Sequence, residues 1–118
     1  MMRRRFYIAW SFVTFSMSPL TSPTGVALAM SDIANGKMVY GENCATCHGS
    51  TGRGDGYVRF NPRVADLTSP AIQRKLDGEL IKTIHEGRSN TAMGSWRLAL
   101  SEEEIHDVVA YLRTLKKD

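Results

Sequence analysis

Residues 44–48 read Cys44-Ala45-Thr46-Cys47-His48, and these are the only two cysteines in the 118-residue chain. The C-x-x-C-H spacing is the attachment signature for haem of the c type. Cysteines three apart lie within one helical turn and face the same way, so both sulfurs reach the two vinyl groups on one side of a porphyrin. Each forms a thioether, and the adjacent His48 is carried under the ring to offer an imidazole nitrogen to the iron. One such motif means one covalent haem. The same residues could serve other chemistry. A redox dithiol wants a βαβ context, which this chain lacks. A zinc site wants four ligands, and His85 and His106, the histidines left to complete it, stand twenty-one apart rather than on one turn. A Cys44–Cys47 disulfide would close a very small loop and constrain little of the unfolded chain.

The elements that must position this motif are helical. Ser101 and Glu104 form a capping box, with Leu100 and Ile105 spaced for a hydrophobic staple. Ile105, Val108, Val109 and Leu112 then recur at i, i+3, i+4 and i+7, one apolar face at helical period. An earlier helix is predicted from about Asp32 to Cys44, and Gly36 inside it costs about 1 kcal/mol relative to alanine. A glycine there makes sense only where another backbone comes very close. Ser69-Pro70 opens a short helix to about Lys75. Asp77 is expected to cap another that carries Leu80, Ile81 and Ile84, with Gly87 at its carboxyl end. No segment alternates as a strand would, so the domain reads as all-α.

The first thirty residues are different. Arg3, Arg4 and Arg5 precede a mostly apolar stretch from Phe6 to Met17; Pro19, Pro23 and Gly25 break it, and Ala27-Leu28-Ala29 closes the segment. That order is a secretory signal peptide; the apolar run is far short of the ~20 residues a spanning helix needs. The expected organisation is a signal over residues 1–29 and a single domain over 30–118, with no stable membrane insertion after cleavage. Removing the signal takes away three of the 15 basic residues and none of the 12 acidic ones. The sequence pI of about 9.1 was therefore the export signal's, and nucleic acid is excluded as a partner on charge. A domain this small is marginal without a staple or a cofactor to fold around.

With Cys47-His48-Gly49, the loop Gly52-Arg53-Gly54-Asp55-Gly56 and the closing Ala110-Tyr111-Leu112-Arg113 in place, the chain resembles the class I cytochromes c, in particular the short bacterial periplasmic members. The resemblance implies three to five helices wrapped around one haem, with the first and last helices crossing. Gly36 and Tyr40 match the glycine and aromatic of that crossing, and Val108 and Tyr111 stand at the matching spacing on the last helix.

The second iron ligand decides the function. The candidates are Met30, Met38, Met93, His85 and His106. Met38 lies on the first helix, where core packing explains it; His106 falls off the apolar stripe, and His85 suits a helix end. Met93 sits in the polar loop Arg88-Ser89-Asn90-Thr91-Ala92-Met93-Gly94-Ser95-Trp96. The resemblance implies that Met93 is the distal ligand and that Trp96 is the aromatic following it in the haem environment. It also implies that a proline carbonyl, here Pro62, accepts the outer N–H of His48. Gly94 stands where many relatives have proline. Arg53, Arg59, Arg88 and Arg97 are candidates for the haem propionates. A His48/Met93 pair leaves no open coordination site, which is the design of an electron carrier rather than an enzyme. The reading is a periplasmic carrier between redox partners, a dehydrogenase or reductase as donor and an oxidase or reductase as acceptor. A gas sensor or peroxidase-like protein with a labile methionine, and a fixed subunit of a larger oxidoreductase, are the alternatives.

Overall fold

The computed structural model describes residues 30–117, so the expected signal peptide lies outside the described residues. Among the described residues five helices follow in order: α1 (Ile33–Asn43), α2 (Ala45–His48), α3 (Pro70–Gln73), α4 (Asp77–Glu86) and α5 (Glu102–Thr114). No strand occurs among the described residues. The two long end helices start on the caps that local sequence dictates. The Asp32 carboxylate accepts the N–H groups of Ala34 at 2.8 Å and Asn35 at 3.1 Å. At α5 the Ser101 hydroxyl accepts the Glu104 N–H at 3.2 Å, while the Glu104 carboxylate accepts the Ser101 N–H at 2.8 Å.

Gly36 is where α1 crosses α5. A Cβ added there would stand 2.0 Å from the Asp107 carbonyl oxygen, so only glycine lets the two backbones meet. One turn on, the rings of Tyr40 and Tyr111 pack with centroids 5.3 Å apart at 57°. The stripe Ile105, Val108, Val109 and Leu112 is buried, and Val39, Tyr40, Leu67, Leu80, Ile84 and Leu100 complete the core with it.

Two details, Asp77 and Met38, depart from expectation, and a third, Asp107, carried no expectation from the sequence and is only 3% exposed. Its carboxylate accepts the backbone N–H of Asp32 at 2.6 Å and the side-chain amide of Asn35 at 2.8 Å, which bolts the start of α1 onto α5. Asp77 does not cap α4 but is its first residue: Leu76 holds the cap position, and its N–H is taken by Glu79 at 2.8 Å. Asp77 is drawn instead to Arg113 on α5, whose Nε donates to it at 2.8 Å. Met38 is 63% exposed and does not belong to the core, because Val39 and Tyr40 take the inward face of that turn.

Candidate haem-binding site

Cys44 ends α1 and opens α2, a single turn in which the His48 N–H reaches back to the Cys44 carbonyl at 2.9 Å. That turn sets Cys44, Cys47 and His48 on the wall of one cavity of about 720 Å³, within the ~300–1,000 Å³ of small-ligand sites. Both sulfurs are free and half-buried. Burial, followed by the neighbouring Cys47, pushes the Cys44 thiol up to about 11.

The loop after α2 fixes His48. The Tyr40 hydroxyl donates to the Gly49 carbonyl at 2.7 Å, the Gly54 N–H to the His48 carbonyl at 2.8 Å, and the Leu67 N–H to the Gly52 carbonyl at 2.7 Å. Asp66 closes the turn by accepting both the N–H and the hydroxyl of Thr68, at 2.9 and 2.7 Å. These bonds bring the Ala65 carbonyl to 3.3 Å from His48 Nδ1. A carbonyl only accepts, so Nδ1 carries the proton and Nε2 keeps its lone pair for a metal. Burial holds the imidazole below its ordinary value, with the Ala65 carbonyl working in the opposite direction; the neutral, ligating form is thereby favoured. The expected acceptor, the Pro62 carbonyl, is not the one used: the Leu67–Gly52 bond and the Asp66–Thr68 turn carry residue 65 to the ring. Pro62 itself lines the cavity from an exposed position.

Met93 lines the same cavity from the far end of the sequence. Its loop is tied down on both sides. Arg88 donates its N–H to the Met93 carbonyl at 2.9 Å, and Trp96 donates its own to the Ile84 carbonyl at 3.1 Å. Trp96 is half-buried against the core and also lines the cavity. A Cβ at Gly94 would meet nothing within 4 Å, so this position faces open space.

The other candidates do not converge. His85 Nε2 faces Glu102 at 3.2 Å, and His106 is exposed on α5. Among the described residues no three His, Cys, Asp or Glu side chains gather as a metal cluster would require, so nothing supports the zinc arrangement. Of the four arginines considered for propionates only Arg88 lines the cavity. Arg63 and Lys75 line it as well, and neither was legible in the sequence, since their proximity depends on how the loop and α3 fold back. Among the described residues no carboxylate lines the cavity.

These residues fit haem: two sulfurs on one turn, an imidazole with its outer N–H satisfied, a thioether on the same cavity, apolar walls from Phe60, Val64, Leu67, Ile72, Leu80, Ile84 and Leu112, and cations rather than anions for the propionates. Fold and site together define a c-type cytochrome. Residues 31–112 match the family described as cytochrome c oxidase, cbb3-type, subunit III, and the chain belongs to it. The chain is similar to cytochrome c-554(547) of Halothiobacillus neapolitanus, 34% identical over 92 residues that cover 72% of this chain and 98% of the relative. It is also similar to cytochrome c6 of Thermosynechococcus vestitus, 31% identical over 111 residues, 94% of this chain and 91% of that one. Among solved structures, cytochrome c6 of the diatom Phaeodactylum tricornutum superposes with a TM-score of 0.56 at 25% identity, covering 70% of this chain and 92% of its own. The protein is a monohaem electron-transfer cytochrome with one covalent haem c, and it works with other redox proteins.

Proposed function

We propose that the chain is a periplasmic carrier that moves single electrons between a dehydrogenase or reductase and an oxidase or reductase, through a haem ligated by His48 and Met93. Bound haem supplies the Fe(II)/Fe(III) couple. The protein's own residues do the rest: Cys44 and Cys47 tether the group, His48 presents Nε2 because Ala65 occupies Nδ1, and Met93 offers a soft thioether that favours Fe(II) and raises the potential. With both axial positions taken, no site is left for a substrate, so the chain carries electrons and does not catalyse. Contacts with partners are small and transient, as a shuttle requires.

The observation that carries this reading is the anchoring of the Met93 loop. The Arg88–Met93 and Trp96–Ile84 backbone bonds hold the thioether on the cavity that His48 also lines, which counts against a labile methionine and hence against a gas sensor or peroxidase. The family's description as an oxidase subunit favours a second reading, a fixed subunit of a larger oxidoreductase. Stoichiometric co-purification with an oxidase would select it; recovery of a free monohaem protein selects the shuttle. Export is carried by the Arg3 to Ala29 pattern, and among the described residues no helix is long and apolar enough to cross a membrane. The ligand assignment is tested by Met93→Ala. The oxidised variant should lose the weak far-red sulfur-to-iron absorption, and its potential should fall. An unchanged spectrum transfers the role to another residue.

A further inference from the structure

The last carbonyls of a helix have no partner within it, and at the end of α4 they are spent on the Met93 loop. The Ile84 carbonyl accepts the Trp96 N–H at 3.1 Å, and the His85 carbonyl accepts the Ser95 hydroxyl at 2.6 Å. Between helix and loop lies Gly87, at φ 76°. A Cβ there would stand 2.7 Å from the Met93 carbonyl oxygen, 2.7 Å from the Gly94 carbonyl carbon and 2.8 Å from the Ser95 nitrogen. All three are backbone atoms, which cannot yield as a flexible side chain would. Two separate restraints therefore act on the same three residues: a contact from below that tolerates only glycine, and a side-chain latch one position past Gly94.

We propose that Gly87 and Ser95 are positioning residues for the Met93 thioether. Gly87 sets how closely the Met93 backbone approaches α4, and the Ser95 hydroxyl keeps the open-sided Gly94 segment from swinging away. The assignment rests on Met93 being the distal ligand. An alanine at 87 forces the Met93–Ser95 backbone outward and takes the sulfur with it. An alanine at 95 removes one hydrogen bond from an exposed loop, a smaller effect that appears in how often the methionine lets go.

The test uses the holoprotein and its Gly87→Ala, Ser95→Ala and Ser95→Thr variants beside Met93→Ala. Four readouts are taken: the far-red absorption of the oxidised form, the midpoint potential, the rate at which saturating imidazole replaces the methionine at neutral pH, and the thermal midpoint. Gly87→Ala should weaken or lose the band and move the potential toward that of Met93→Ala. Ser95→Ala should keep the band and exchange about threefold to tenfold faster, the worth of one neutral hydrogen bond, and Ser95→Thr, which keeps the hydroxyl, should behave as wild type. Should Gly87→Ala fail to accumulate, the Ser95 pair decides alone. Wild-type band, potential and exchange rate in the alanine variants, with only the thermal midpoint lowered, would reduce both residues to fold stability and overturn the proposal. An unaltered Met93→Ala spectrum would instead sink the ligand assignment beneath it.

Discussion

Tyr40 shows how much of the site rests on single hydroxyls. Its O–H donates to the Gly49 carbonyl next to His48, and burial, with Cys44 behind it, pushes the phenol well above its ordinary range. Tyr40→Phe should cost about 1 kcal/mol in chemical denaturation, because the Gly52 N–H still serves the same carbonyl at 3.1 Å. Asp66 is the titrating counterpart. The Thr68 hydroxyl is the main cause holding its carboxyl below the usual range. Its stabilising contribution is therefore complete above the unfolded carboxylate value and fades as pH falls through the lowered folded value. Thr68→Val should raise the Asp66 titration, followed by NMR, and move acid unfolding to higher pH; an unmoved titration would place the cause elsewhere. At this scale the sequence was legible where chemistry is local. Cys44, Cys47 and His48 declare themselves by spacing alone. The Ala65 carbonyl could not be read, since any residue has a carbonyl and only the Leu67–Gly52 bond determines which one meets the ring.

The helix crossing separates two glycines of α1 that look alike in sequence. Gly36→Ala should destabilise by about 1–3 kcal/mol or more through overpacking against the Asp107 carbonyl. Gly41 faces nothing within 4 Å, so Gly41→Ala should stabilise by about 1 kcal/mol from helix propensity. Equal effects in thermal unfolding would deny that the crossing is what selects glycine. Asp107→Ala should cost about 3 kcal/mol, since it strands the Asp32 N–H and the Asn35 amide that its charge now receives. The glycine of the crossing was foreseen because glycine in mid-helix is expensive and needs a reason. The buried aspartate was not, because a charge beside an apolar stripe reads as solvated until its partners from α1 are known. Asp77 repeats the lesson: the pull of Arg113 from α5 belongs to tertiary structure, and no capping rule contains it.

For the molecule as a whole, the cavity ties the stability of the fold to the cofactor that covers its walls. The cavity of about 720 Å³ opens to solvent, so without a cofactor its apolar lining, Leu80, Ile84 and Leu112 among it, stays in contact with water instead of being buried. Chain expressed without export, and so without haem, should show no cooperative unfolding transition, whereas the holoprotein should show one; a sharp transition in the haem-free chain would mean the helices pack without a cofactor. The all-α class was readable from periodicity and caps, and Gly36 called for a close backbone neighbour; that the neighbour is α5 was what the resemblance implied. The cavity itself was not, since Leu80, Ile84 and Leu112 look like ordinary core residues until the space they face is seen. The claim that both axial places belong to the protein is tested most directly by exposing the reduced native protein to carbon monoxide at neutral pH. The account predicts a spectrum identical to that of the untreated ferrous protein, and a prompt shift to the carbonyl form would contradict it.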